Sequence, residues 1–257
     1  MSPSDLPPLD CHAHIAPDVT RPQIAGLNGA LVFAMTRTPG EASAAARRSD
    51  PTLAWGFGAH PGLADAISRV NETVLREAVQ AHAVMGEIGL DRRGPSGPQR
   101  EALEALLDAS QGQPVVLSLH STGRTRQLLD VLRERPHPGA VLHWFNGTHD
   151  EISEAIALGC YFSVNNAMTD DRLAQIPLDR MLPETDFPAS RKSTLASKPG
   201  DTRALERRLA QRDGISEAAV RRGFYRTLAG LLKVSGARSR MPQKFQDALN
   251  HAERGSE

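Results

Sequence analysis

Short apolar runs alternate with helical patterns through the first three quarters of the chain. Each run has the length of a strand and is rich in branched or aromatic side chains, with glycine, proline or polar residues nearby. The eight runs cover residues 9–15, 30–36, 53–60, 83–90, 114–120, 140–145, 160–165 and 180–186. Between many of them apolar residues recur at helical spacing, as at Leu103, Leu106 and Leu107. Strands that alternate with helices indicate parallel βαβ units.

Eight such strands in a chain of 257 residues favour an α/β fold of the (β/α)8 TIM-barrel type with additional C-terminal helices. A doubly wound open sheet is the alternative, because periodicity does not show whether a sheet closes. After the eighth strand the sequence predicts a loop, KSTLASKPGD, and then helices near 201–212 and 216–232. We expect a single domain over residues 1–257, in which the tail 234–257 forms a short helix or stays frayed.

The composition is that of a globular protein, with 40% apolar and 23% charged residues. No stretch approaches the ~18 apolar residues of a spanning helix, so no membrane partner is expected. Two cysteines, Cys11 and Cys160, make no disulfide framework, and no secretory signal is visible. A cytoplasmic location is therefore expected.

The formal net charge is zero, but residues 187–244 carry 14 Lys or Arg against 4 Asp or Glu. This local excess of positive charge suggests a polyanionic partner. A set of solvated, arginine-rich helices is the alternative explanation.

Histidines and carboxylates interrupt the predicted strands at or near their C-terminal ends. Parallel strands bring these ends to one rim of a barrel, where active sites lie. A polar side chain in an apolar strand costs a few kcal/mol unless it is satisfied, and a metal ion satisfies several such groups together. Singly, each has an ordinary structural interpretation, but as a set they indicate ligands. The candidate metal ligands are His12, His14, Glu87, His120, His143 and Asp186.

These groups can hold two ions. His12 and His14 project to the same side of a strand and, with Asp186, would hold the first ion. His120 and His143 would hold the second ion. Two ions ~3.5–4 Å apart can clamp the attacking and leaving oxygens of a phosphoryl displacement.

Two carboxylates are the candidate catalytic groups. Glu87 lies between the two ligand groups in chain order around the barrel and could bridge the ions. A metal-bound water is acidic near neutral pH, and Asp186 is placed to accept its proton. Mixed imidazole and carboxylate ligands suit zinc, manganese, iron or nickel better than magnesium.

Several segments resemble those of the TatD-related metal-dependent deoxyribonucleases of the amidohydrolase superfamily. They are DCHAH, GAHPG, GEIGLD, PQREALEALLD before PVVLSLHS, HWFNGT and PETDFP. The resemblance covers residues 9 to about 232. It implies a TIM barrel, one or two divalent ions (Zn, Mn, Ni or Mg), the six ligands above, and DNA as the substrate, as single strands or ends. It also assigns Asp91 to a carboxylate that orients a ligand.

Three shorter segments are similar to the TatD-type component (QatD) of Qat anti-phage systems. They are TRTP, LHWFNGT and GCYFSVNNAM. This similarity implies a role in antiviral defence, with other Qat-system proteins as partners.

The family resemblance also implies substrate contacts. His60 matches a histidine that in the family contacts substrate rather than metal. The family usually has arginine where this chain has Thr122, so either Arg124 reaches that phosphate or the contact is lost in this chain. Arg92 and Arg93 follow GEIGLD, where the family often has an aromatic residue, which implies stronger attraction of phosphate and loss of a base-stacking surface.

The remaining candidates have simpler interpretations. Trp144 and Phe145 could stack on a base, since base–aromatic stacking is worth ~1–3 kcal/mol, but burial is favoured for Phe145. Cys11 is interpreted as a small buried side chain. Four histidines without convergent partners are predicted at the surface: His82, His137, His149 and His251.

Three functions are compatible with these features. The leading hypothesis is a metal-dependent phosphodiesterase that acts on DNA. A metal-dependent amide, ester or lactone hydrolase would use the same scaffold, because fold does not fix function, and a closed neutral pocket would favour it. A non-catalytic subunit of a defence complex would show an exposed apolar patch on its outer helices.

Overall fold

The computed structural model describes residues 6–189 and 191–254. Eight parallel strands pair in chain order, from β1 to β8, to form one sheet. Their bounds are Leu9–His14 (β1), Leu31–Met35 (β2), Leu53–Phe57 (β3), Val84–Gly89 (β4), Val116–His120 (β5), Ala140–His143 (β6), Tyr161–Val164 (β7) and Met181–Pro183 (β8). All eight predicted strands are confirmed, and each is shorter than its apolar run.

Helices lie between the strands and after the last one. Eight of them precede β8: Arg21–Ala25 (α1), Pro39–Ala45 (α2), Ala64–Ser68 (α3), Glu72–Ala81 (α4), Ser96–Ser110 (α5), Thr125–Glu134 (α6), His149–Ala157 (α7) and Asp170–Gln175 (α8). Four follow it: Arg191–Thr194 (α9), Arg203–Asp213 (α10), Glu217–Val234 (α11) and Gln243–Arg254 (α12). The predicted (β/α)8 barrel with additional C-terminal helices is confirmed.

The sheet closes through the segment that follows β8. The Asp186 N–H donates to the His12 carbonyl (2.9 Å), and the His14 N–H donates to the Phe187 carbonyl (2.8 Å). These two bonds place Asp186 beside the two histidines of β1.

The C-terminal helices cover the barrel. The predicted apolar stripe of α11 is buried: Val220, Phe224, Leu228, Leu231 and Leu232. Phe245 of α12 is also buried and stacks on Phe33 of β2, with ring centroids 5.7 Å apart. Arg240 donates to the carbonyls of Val79 and Pro114, just before β4 and β5, so this segment covers the end at which the strands begin.

Three local expectations need correction or a limit. The predicted loop KSTLASKPGD contains the end of the helical turn α9. The predicted surface positions of His82 and His137 are wrong, since both rings are buried and bond to backbone groups. Residues 255–257 of the predicted tail lie outside the described residues.

Within the described part of the chain, every helix is too short or too polar to span a bilayer.

Candidate metal centre

The C-terminal ends of the strands bring all six candidate ligands into one cluster around Glu87. One carboxylate oxygen of Glu87, Oε2, lies 3.3 Å from His14 Nε2 and 3.9 Å from His12 Nε2. The other, Oε1, lies 3.0 Å from His143 Nε2 and contacts His120 Nδ1. Asp186 Oδ1 completes the cluster, 3.5 Å from His14 Nε2.

Glycine allows β4 and β5 to approach closely beside Glu87. Gly89 has a φ of 152°, and a Cβ there would lie 2.1 Å from the His120 carbonyl oxygen. Glycine alone tolerates both the angle and the contact. The close approach holds Glu87 and His120 at a fixed separation.

Hydrogen bonds on the far side of each ring orient two of the histidines. His14 Nδ1 donates to the Met35 carbonyl (3.2 Å), which leaves the electron pair of Nε2 facing Glu87. His120 Nε2 lies 2.8 Å from Asp91 Oδ2 and donates to it, which leaves the electron pair of Nδ1 facing the cluster. A ring bonded outward to a carbonyl or carboxylate is the usual arrangement of a metal ligand.

The other two histidines stack face to face. The rings of His12 and His143 have centroids 3.9 Å apart and an interplanar angle of 9°. His12 Nδ1 lies 2.8 Å from Ser118 Oγ, whereas His143 Nδ1 lies 3.6 Å from Glu184, beyond hydrogen-bond distance.

The donor set fits a divalent cation. His120 Nδ1 and His143 Nε2 are 3.0 Å apart, so the two nitrogens share a proton or a cation between them. Among the described residues, His12 Nε2 and Glu87 Oε2 are buried without a hydrogen-bond partner. Three groups of side chains have ligand atoms within 4.8 Å of one another: His12, His14 and Glu87; His12, His143 and Asp186; and His60, Glu87 and His120.

Protons and metal compete for these electron pairs. Burial opposes ionisation of Glu87, but His120 and His143 hold its pKa well below the usual range. Burial also opposes protonation of His14, yet the neighbouring carboxylates of Asp186 and Glu87 raise its pKa to about 9. The carboxylates likewise outweigh burial and raise the pKa of His143. A metal ion that binds here therefore displaces protons.

His60 differs from the other histidines of the cluster. Its Nδ1 accepts the Gly62 N–H (2.9 Å), so the proton of the neutral ring is on Nε2, 3.5 Å from Glu87 Oε2. Burial lowers the pKa of His60, which favours that neutral form. His60 thus offers a hydrogen-bond donor to the cluster, which suits a substrate oxygen better than a cation.

A cleft of about 630 Å³ opens above the cluster. Trp144 lines it and is half-buried, while Phe145 is buried in the barrel wall, as the sequence predicts. Arg92 and Arg93 also line the cleft. Arg124 does not: its guanidinium donates to the Gly94 carbonyl (2.6 Å) and supports that loop.

Sequence analysis missed two buried polar residues behind the cluster. Ser118 supports His12, and its position inside an apolar strand was the available signal. Asp10 accepts hydrogen bonds from the backbone N–H groups of His12 (3.2 Å), Thr185 (3.0 Å) and Gly200 (2.8 Å). Burial raises the pKa of Asp10 to about 7.

A closed parallel barrel with histidines and carboxylates converging at the C-terminal ends of its strands defines the class of metal-dependent hydrolases. Residues 9–232 match the model of the TatD-related DNase family. The chain belongs to this family and is a hydrolase that acts on phosphodiester bonds.

Curated relatives agree with the family assignment, and a solved structure shares the fold. The chain is 32% identical to a 3′-5′ ssDNA/RNA exonuclease TatD of Edwardsiella piscicida over 203 residues, which covers 72% of this chain and 77% of that protein. It is 30% identical to the protein of the same name from Enterobacter lignolyticus over 200 residues, with the same coverage. The crystal structure of YjjV, a TatD homologue of Escherichia coli K12, superposes with a TM-score of 0.61 at 20% identity, covering 95% of this chain and 97% of that one.

Proposed function

We propose that this chain is a metal-dependent nuclease that hydrolyses single-stranded DNA or RNA from strand ends. The observation that carries the proposal is the convergence of ring nitrogens and carboxylate oxygens on Glu87, beneath a cleft that arginines line. The curated relatives named as single-strand exonucleases support the substrate class.

We propose that the buried cluster holds one or two divalent ions. The residues that would hold them are His12, His14, Glu87, His120, His143 and Asp186, with Glu87 at the centre of the cluster. A bound ion supplies positive charge for phosphate oxygens and lowers the pKa of a water molecule. Zinc, manganese and nickel suit this mixed donor set, and magnesium is a further candidate.

Asp186 is the proposed proton acceptor. Its backbone N–H is fixed by the His12 carbonyl, and it adopts a φ of 47°, which directs the residue away from the ladder. Its carboxylate lines the cleft, where it can take the proton of an attacking water. The Nε2–H of His60 donates to a phosphate oxygen, and Trp144 provides a surface on which a base stacks.

Arginine in the cleft favours phosphate over a neutral acyl substrate. Arg92 and Arg93 line the cleft, whereas the amide or ester hypothesis requires a closed neutral pocket. The basic segment 187–244 attracts phosphate less strongly than its charge suggests, because many of its arginines form ion pairs. The paired arginines are Arg203, Arg207, Arg208, Arg212, Arg221 and Arg238.

We also propose a role in anti-phage defence with other Qat-system proteins, on the similarity of TRTP, LHWFNGT and GCYFSVNNAM. An apolar groove of about 640 Å³ between α10 and α11, with Leu178 and Ile215 exposed at its edge, supports contact with a partner protein. Plaque counts on cells carrying the wild-type chain or Glu87→Gln test this role. Equal plaque counts would contradict a catalytic part in defence.

The nuclease proposal is tested with end-labelled single-stranded oligonucleotides and Mn²⁺ or Zn²⁺. Glu87→Gln should lower the cleavage rate by more than about 100-fold and reduce the bound metal, because ligand loss costs more than loss of an outer partner. Glu77→Gln, at an exposed position on α4, is the matched control and should behave as wild type. Cleavage by Glu87→Gln at the wild-type rate would refute the proposal.

A further inference from the structure

The cleft contains two arginines, and they differ in what they contact. Arg93 forms an ion pair with Asp91. Its Nη2 and Nε atoms lie 2.6 Å and 3.0 Å from the carboxylate oxygens. Asp91 also accepts a hydrogen bond from His120. The charge of Arg93 is therefore paired with the carboxylate that orients His120. Arg92 has no side-chain hydrogen bond or ion pair to any residue that the structure describes.

The backbone of Arg92 is fixed even though its charge is uncompensated. Beyond the end of β4, Leu90 N–H donates to the His120 carbonyl (2.8 Å) and Arg92 N–H donates to the Thr122 carbonyl (3.0 Å). These bonds extend the pairing of β4 with β5 past the last ladder residues. Arg92 is therefore carried on a rigid extension of the barrel rim.

The aliphatic part of the Arg92 side chain is packed as well. A Cβ on Gly123 would lie 3.0 Å from Arg92 Cδ and 3.2 Å from its Cβ, so the stem lies directly on this glycine. Gly123 has a φ of 70°, which favours glycine independently. The packing leaves the guanidinium at the exposed wall of the cleft.

Arg92 stands outward from the cluster. His120 Nδ1 faces Glu87, its opposite nitrogen faces Asp91, and Arg92 follows Asp91 in the chain. Arg92 lies beyond Gly89 on the continued pairing of β4 with β5, and its side chain lines the same cleft as the ligands. A second phosphate of the same strand would reach this position while the first lies on the cluster.

We propose that Arg92 binds a phosphate that flanks the one being cut, and so selects polynucleotides over small phosphodiesters. This inference rests on the proposed nuclease function. Arginine matches phosphate with paired N–H donors, and its positive charge meets no competing carboxylate among the described contacts.

The test compares two substrates that differ in the number of phosphates. Arg92→Ala should raise KM for a single-stranded oligonucleotide about tenfold and leave kcat within about twofold. Kinetics with bis(p-nitrophenyl) phosphate, which has one phosphate, should be unchanged. The slope of log KM against log salt for the oligonucleotide should become shallower by about 0.7, the value for one phosphate contact on a single strand.

Two further variants separate a specific contact from general electrostatics. Arg47→Ala removes the same charge from an exposed position after α2 and should leave every parameter unchanged. Arg92→Lys should recover part of the lost KM, because the charge remains without the paired donors. Equal effects of Arg92→Ala on both substrates, or no effect on the oligonucleotide, would overturn the inference.

A binding measurement distinguishes this inference from the nuclease proposal. Fluorescence anisotropy with a labelled oligonucleotide in EDTA avoids cleavage, and Arg92→Ala should weaken binding about tenfold relative to wild type. If wild type binds through Arg92 but cuts neither substrate with any metal, the nuclease proposal fails and the Arg92 site stands. If wild type cuts and Arg92→Ala binds and cuts equally well, only the Arg92 inference fails.

Discussion

The roles of His14, His120 and His60 are set by the group that bonds to the outer nitrogen of each ring. The Met35 carbonyl and the Asp91 carboxylate accept a proton from His14 and His120, and both rings then present an electron pair inward. The Gly62 N–H instead donates to Nδ1 of His60, so the proton of this ring is on Nε2, the nitrogen that faces the cluster. Chemically identical residues therefore perform different roles, because single hydrogen bonds fix their tautomers.

Ser118→Ala should weaken metal binding about 10–100-fold, as expected for loss of an outer partner of a ligand. The substitution leaves His12 Nδ1 buried without its 2.8 Å contact, so the ring is no longer oriented. Competition with a chelating dye gives the affinity. Ser43→Ala, at an exposed position on α2, is the control. An unchanged affinity would show that packing alone orients His12.

Metal affinity should rise as the pH increases from 6 toward 9. The carboxylates of Asp186 and Glu87 outweigh burial and raise the pKa of His14 to about 9, so below this pH a proton must leave before a cation binds. Each such proton contributes up to about tenfold in affinity per pH unit. Titration calorimetry in buffers of different ionisation enthalpy measures the protons released. Affinity that does not vary with pH would contradict this competition.

At the scale of elements, the junction between β8 and β1 positions half of the cluster. Asp10, in β1, accepts hydrogen bonds from the backbone N–H groups of both His12 and Thr185. The Thr185 hydroxyl donates to Asp10 (2.6 Å) and accepts the Phe187 N–H (3.2 Å). The position of Asp186 therefore depends on the hydrogen bonds that close the barrel, including its own N–H bond to the His12 carbonyl.

Thr185→Val should lower the free energy of unfolding by about 1–3 kcal/mol, because it leaves buried hydrogen-bonding groups unpaired without changing shape. It should also weaken metal binding through Asp186. Urea unfolding of the chelator-treated protein separates the first effect from the second. Thr185→Ser keeps the hydroxyl and should retain most of both properties. If Val and Ser variants behave alike, the hydroxyl does not hold the junction.

At the scale of the molecule, one end of the barrel carries the candidate site and the other end is covered by the C-terminal segment. The C-terminal ends of the strands carry the cluster and the cleft. The opposite end is covered by α12 and by Arg240, which donates to carbonyls before β4 and β5. Stability and chemistry can therefore be changed independently.

Phe245→Ala should lower the free energy of unfolding by about 3–5 kcal/mol, the usual cost of removing a large buried aromatic side chain. The ring is fully buried and stacks on Phe33. Metal affinity at low temperature should be unchanged because the cluster lies at the other end. Thermal unfolding measures the first effect, with the exposed Lys244→Ala as the control. A loss of metal affinity in the folded variant would show that the two ends are coupled.

Sequence analysis located the strands and the groups that meet on the rim, but it misjudged side chains that depend on long-range contacts. The substrate contact of Arg124 stays a prediction, but its guanidinium donates to the Gly94 carbonyl here, and Arg92 faces the cleft. His137 was predicted at the surface because its buried partner, the Ser110 carbonyl, is distant in the chain. Neither partner is visible from local spacing.

The sequence by itself determined the order of strands and helices, because the apolar spacing of each segment is a local property. It also placed histidines and carboxylates at strand ends, and parallel strands necessarily bring such ends to one rim. Only the tertiary structure decided which ring nitrogen faces Glu87, and which arginine remains without a carboxylate. Those outcomes depend on hydrogen bonds between residues far apart in the chain, which form only when the barrel closes.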